Sequence, residues 1–174
     1  CNSYKCGDYI GEKILNTLDY SNLSTLKVKP STWLRIFSKV LAFSTLFLIL
    51  MGSLVTSTGS GLSVPDWPST YGQFMFSFPL SDMIGGIFYE HGHRLIASTV
   101  GLMTVILAIS TWILEKRRWV KFLALAALLA VILQGLLGGL TVLYFLPTPI
   151  SVLHAVLGQT FFVLTILLAY SFSK

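Results

Sequence analysis

The sequence predicts an all-α integral membrane protein, a bundle of four transmembrane helices with an aromatic-rich outer loop between the first two. Three observations predict it. The 174 residues are 54% hydrophobic and only 11% charged, with a mean hydropathy of +0.76, well outside the range of soluble domains. Four apolar runs, Trp33–Val55, Gly85–Leu114, Val120–Leu143 and Ile150–Phe172, each reach the roughly 20 residues that cross a hydrocarbon core about 30 Å thick. Finally, eleven of the twelve basic residues lie before or at the opening of the first run, between the second and third, or at Lys174.

Residues 1–30 mix Lys, Asp, Asn, Ser and Thr with scattered Ile and Leu and close on Pro30. They read as a polar cytoplasmic tail with at most one short helix, and nothing in them has the apolar core of a signal peptide. Cys1 and Cys6 both fall here, so they offer no disulfide framework to the hydrophobic body, and two thiols alone fall short of a structural zinc site. Residues 31–174 form the membrane domain.

The first run begins beside Arg35 and Lys39. The loop that follows, TSTGSGLSVPDWPSTYGQFMFSFPLSDM, is rich in Gly, Pro and aromatic residues. It reads as an ordered cap with Trp67, Tyr71, Phe74, Phe76 and Phe78 at the membrane interface. The second run ends at the basic cluster Lys116, Arg117, Arg118 and Lys121, and the third, FLALAALLAVILQGLLGGLTVL, carries a single Gln and no charge. A soluble bundle would need a polar face there. Four spans put every basic cluster on one side, and the positive-inside tendency makes it the cytoplasm; the loops 56–84 and 144–149, which contain no Lys or Arg, then face outward. The net charge of +5 is therefore a membrane-edge charge, with no nucleic-acid partner implied.

The twelfth basic residue, Arg94, lies inside the second run, in FYEHGHRLIA. Glu90 precedes His93 by three residues and Arg94 by four, so the three project from neighbouring positions of one helix face, while His91 points elsewhere. Ionisable groups at such depth are costly and mark function. The third histidine, His154, lies in the fourth run, in PTPISVLHAVLGQ. Counted from the outer ends of their helices at about 1.5 Å per residue, His93 and His154 lie roughly 12 Å and 7 Å deep. Two imidazoles at similar depth on parallel helices can ligate a haem iron from both faces. Gly135, Gly138 and Gly139, with Gly85, Gly86, Gly92 and Gly101, either make room for a porphyrin or let helices pack closely. Gln134 reads as a hydrogen bond across helices, and Glu90 with Arg94 can equally be a neutralising pair.

In this order and on these helices, GSLVTSTGSGLSVPDWP, YEHGHRLIAS and LQGLLGGLTVLYFLPTPISVLHAVLGQ closely resemble the haem A synthase family, over residues 35–172. The resemblance implies an oxidoreductase that oxidises a methyl group of haem O to a formyl group, giving haem A for terminal oxidases. It implies His93 and His154 as axial ligands of the iron and Glu90 as the catalytic carboxylate at the haem edge. Arg94 is implied as a haem-binding residue, paired either with a propionate or with Glu90. The cofactor expected is haem, as haem O substrate or stationary haem b. The partners expected are haem O, a haem O synthase, oxidase assembly factors and a second copy of the chain, in a bacterial plasma membrane with both termini cytoplasmic.

Two departures from the family pattern stand out. Many members carry a Cys pair in the first outer loop where this chain has Val64 and Ser69, so no disulfide is expected there. Many also have eight helices in two similar halves. A b-type cytochrome that only carries electrons would use the same histidines without needing Glu90. A proton or metal transporter would explain intramembrane Glu and His, but the sequence shows neither the internal repeat nor the broken helices common in that class.

Overall fold

The computed structural model describes residues 32–173; the expectations for residues 1–30, Cys1 and Cys6 among them, lie outside these. Four helices account for most of the described chain: α1 (Thr32–Ser57), α2 (Gly86–Leu114), α3 (Arg118–Leu143) and α4 (Thr148–Ser173). All four are long and apolar enough to cross a membrane, and 26 residues extend roughly 39 Å at about 1.5 Å per residue. The protein is a multi-pass, four-helix membrane bundle. The helices outrun the apolar runs by a residue or two at several ends: α3 takes in Arg118 and Trp119, which belong to the membrane edge, and α4 begins with Pro149 in its first turn, where a missing N–H leaves no hydrogen bond unmade.

Each helix packs against its neighbour in sequence, and α4 closes the ring against α1. This up-down order makes α2 and α4 parallel and diagonally opposed. The buried positions are Leu34, Ser38, Leu41 and Thr45 on α1, Val100, Thr104, Leu107 and Thr111 on α2, and Phe161, Thr165, Leu168 and Phe172 on α4. Their alternating spacings of four and three are those of a left-handed helix seam. On α3 the seam is built of Val120, Ala124, Ala127 and Ala130, small enough for close approach. Phe43, Leu102 and Phe122 instead point outward and are exposed, as a lipid-facing surface requires.

Hydroxyls within the seam are satisfied locally. Thr45, Thr104, Thr111 and Ser171 each donate to the carbonyl four residues earlier, which pairs these hydroxyls among their apolar neighbours.

The apolar core cluster consists of Leu34, Leu41, Val100, Leu107, Val120, Ala124, Ala127, Ala130, Phe161, Leu168 and Phe172, and it occupies the half of the bundle away from the α1–α2 loop. That end is tied by polar contacts. Glu115 accepts hydrogen bonds from the backbone N–H of Lys116 and Arg117 and from the Arg117 guanidinium. Arg117 also donates to the Ser171 carbonyl, and Arg35 to that of Phe172, so two arginines cap the C-terminal end of α4. Nearer the loop the aliphatic core gives way to Glu90, His91, His93, Gln134 and His154.

Candidate functional site

The α1–α2 connection folds back over the loop end of the bundle. Asp66 organises it: its carboxylate accepts hydrogen bonds from Ser69 Oγ (2.5 Å), Tyr71 N (2.8 Å) and Gly72 N (2.9 Å). Burial opposes ionisation of Asp66, but these donors outweigh it and hold the carboxyl below its ordinary value. Tyr71 donates its hydroxyl to the Ser63 carbonyl, and the Trp67 ring lies flat on α3 at Gly139, where a Cβ would come within 2.5 Å of it. The helix that follows starts at Gly85, whose φ of 60° suits a residue without a Cβ.

The polar cluster of α2 divides between this cap and the bundle interior. Glu90 is buried, 3% exposed, with Oε1 accepting from Arg94 Nη2 at 2.5 Å and Oε2 accepting from Val64 N at 2.8 Å. Arg94 also donates to the carbonyls of Asp66 (2.7 Å), Val64 (2.9 Å) and Ser69 (3.2 Å). Of the two pairings open to Arg94 in the sequence, the structure contains the one with Glu90. His91 is buried and hydrogen-bonds Thr70 Oγ1 through Nδ1 at 3.1 Å, with the Phe78 ring 5.1 Å away. Three of the four polar residues thus hold the cap.

His93 turns inward. Its ring lies against Gly52 of α1, where a Cβ would meet Cε1 at 3.0 Å. His154 lies in the same way against Gly138 of α3, with a Cβ there 3.3 Å from its Cε1. The imidazoles come from diagonally opposed helices. Among the described residues, four buried side-chain polar atoms have no hydrogen-bond partner, and all belong to this region: His93 Nδ1, His154 Nδ1, Gln134 Oε1 and Ser151 Oγ.

Gly138 stands out in the sequence; Gly52 and Gly158, the latter packed against the Gln134 amide, do not. The two hairpins share a local pattern, a glycine on the first helix facing a histidine on the second. At Gly135 and Gly101 no protein atom lies within 4 Å of where a Cβ would stand.

A family model described as cytochrome oxidase assembly protein, COX15-CtaA, matches residues 35–174. The chain belongs to the COX15-CtaA family. Among the similar curated proteins of this family are the heme A synthases of Alkalihalophilus pseudofirmus, 37% identical over 123 residues (70% of this chain, 40% of that protein), and Halalkalibacterium halodurans, 33% identical over 123 residues with the same coverage. The heme A synthase of Bacillus pumilus is 32% identical over 139 residues, 78% of this chain and 44% of that protein. The chain therefore spans less than half the length of these COX15-CtaA relatives. No solved structure matches it.

Proposed function

We propose that this chain forms a haem-binding unit of a haem A synthase, an oxidoreductase that converts a methyl group of haem O to a formyl group for terminal oxidase assembly. The observation that carries this reading is the pair of imidazoles on the diagonally opposed helices α2 and α4, each backed by a glycine of the neighbouring helix. In this reading His93 and His154 would hold the iron of a haem placed between α2 and α4, where the core cluster gives out.

With His93 and His154 holding the haem iron, Glu90 would be the catalytic carboxylate, and Arg94, paired with Glu90, would be the further haem-binding residue. The haem supplies the oxidising chemistry at iron when bound. The chain contributes orientation, through two rings fixed against helix backbones, and exclusion of water, through the cap pinned by Arg94 and Trp67. Glu90 contributes the carboxylate that accepts and returns a proton in this reading, held in place by Arg94 and the Val64 N–H. In this reading the end bearing Arg35, Lys39, Lys116, Arg117, Arg118 and Lys121 faces the cytoplasm of a bacterium and the cap lies outside its plasma membrane. A haem O synthase, oxidase assembly factors and a second four-helix unit, such as another copy of the chain, are the partners.

A second reading, a b-type cytochrome that passes electrons through a bis-histidine haem, is favoured by one observation: both oxygens of Glu90 are already engaged. Coexpression with a haem O source decides between them. Extracted pigment containing haem A, lost in His93→Ala and His154→Ala, supports the synthase; bound haem with no haem A identifies the electron carrier.

A further inference from the structure

The four orphaned polar atoms are not equivalent. The two imidazoles belong to the proposed haem site itself, and the Ser151 hydroxyl can rotate onto a carbonyl of its own helix, as the seam hydroxyls do. Gln134 has no such recourse. Its Oε1 is an acceptor, and within a helix the backbone N–H groups are already committed to carbonyls one turn earlier. A buried amide left this way among apolar side chains costs free energy that an occupant of the site can recover.

The placement of this amide is specific. Gln134 lies one turn from Gly138, the floor of His154, and its Nε2 sits in the notch of Gly158 on α4, 2.7 Å from where a Cβ would be. Gly158 is in turn one helical turn beyond His154. The amide is thus held beside the proposed metal ligand, about 6 Å farther from the cap at roughly 1.5 Å per residue. A haem held by His154 with its polar edge toward the cap would have its apolar edge on this side.

Taking the haem reading as its basis, we infer that Gln134 is a specificity-determining residue that hydrogen-bonds an alcohol on the porphyrin's apolar side chain. An alcohol donates and accepts, so it matches the amide in either orientation. Haem O carries such an alcohol beside its isoprenoid chain, whereas haem B has a vinyl group there. Gly158 acts through Gln134 as a positioning residue, keeping open the space in which the amide rests.

The test is a binding cycle on the purified full chain in detergent micelles, titrated with haem O and with haem B and read by absorbance. Because the isoprenoid chain adds affinity of its own, the decisive quantity is how Gln134→Met changes each affinity. Haem O should weaken about three- to tenfold, the range of a single hydrogen bond. Haem B should stay unchanged, with an unaltered low-spin spectrum for both. Gly158→Ala, which displaces the amide without removing it, should weaken haem O in the same sense. Equal weakening of both haems, or no change for either, overturns the assignment. If the parent chain binds neither haem, the haem reading falls and this inference with it. If the parent binds both and His93→Ala and His154→Ala abolish the low-spin band while Gln134→Met shows no discrimination, the role of Gln134 alone is lost.

Discussion

Arg94 Nη2 lies 2.5 Å from Glu90 Oε1, one helical turn away, and the same guanidinium reaches three carbonyls of the α1–α2 loop. The ion pair therefore joins a span to its cap, in addition to balancing charge within α2. Removing one member leaves the other buried without compensation, which for ion pairs of this kind costs about 3 to 5 kcal/mol. Arg94→Ala should lower thermal stability in detergent on that scale and raise hydrogen exchange or protease cleavage across residues 64–70. Arg94→Lys, which keeps the charge but loses the planar fork, should fall between the parent and the alanine variant. Equal protection of the loop in all three proteins would remove Arg94 as its anchor.

Glu90→Gln separates the chemical from the structural role of the carboxylate. An amide can still donate or accept within the cap, so the fold and bound haem should persist. Under the synthase reading, formyl-haem production in cells supplied with haem O should fall by at least the roughly hundredfold expected for loss of a proton-transfer group. Undiminished haem A in the variant would reduce Glu90 to its contacts with Val64 and Arg94.

The fold was legible because an apolar run of membrane-spanning length has few alternatives in lipid. The site was only half legible. Spacing correctly brought Glu90 and Arg94 together, because an i, i+4 pair meets on any helix. It could not reveal that both would turn to the cap and leave His93 facing Gly52 alone. That outcome depends on how the backbone of Val64, Asp66 and Ser69 is placed, and carbonyl positions in an irregular loop leave no trace in residue identity. Gly52 and Gly158 escaped notice for a related reason: a glycine's use is set by what lies opposite it on another helix.

Those glycines give a prediction in which stability and binding move in opposite directions. Gly→Ala within a helix favours the helix by up to about 1 kcal/mol. At Gly52 and Gly138, however, the new methyl would press on the rings of His93 and His154. Gly52→Ala and Gly138→Ala should leave the thermal stability of the haem-free protein unchanged or higher, while weakening haem uptake and shifting the low-spin absorption band. Gly101→Ala, where an added Cβ meets nothing, is the control expected to bind normally. A loss of binding no greater at Gly52 than at Gly101 would show that the ring cradle does not matter.

At the opposite end, the Glu115–Arg117 turn predicts a pH dependence. Hydrogen bonding from Arg117 holds the Glu115 carboxyl below its ordinary value of 4.5, against the opposing effect of burial. A group whose pKa is lower folded than unfolded binds protons more readily in the unfolded chain. Its contribution to stability is therefore complete above about 4.5 and is lost as pH falls through the depressed folded value. Arg117 remains charged throughout and also holds the Ser171 carbonyl, so protonating Glu115 loosens the α2–α3 turn before it frees α4. Thermal unfolding in detergent should accordingly show a midpoint that falls as pH drops below about 4.5. Glu115→Gln should start from a lower midpoint and show a shallower fall over the same interval, since its side chain has no proton to take up. Parallel curves for the two proteins would mean that other carboxyl groups carry the acid sensitivity.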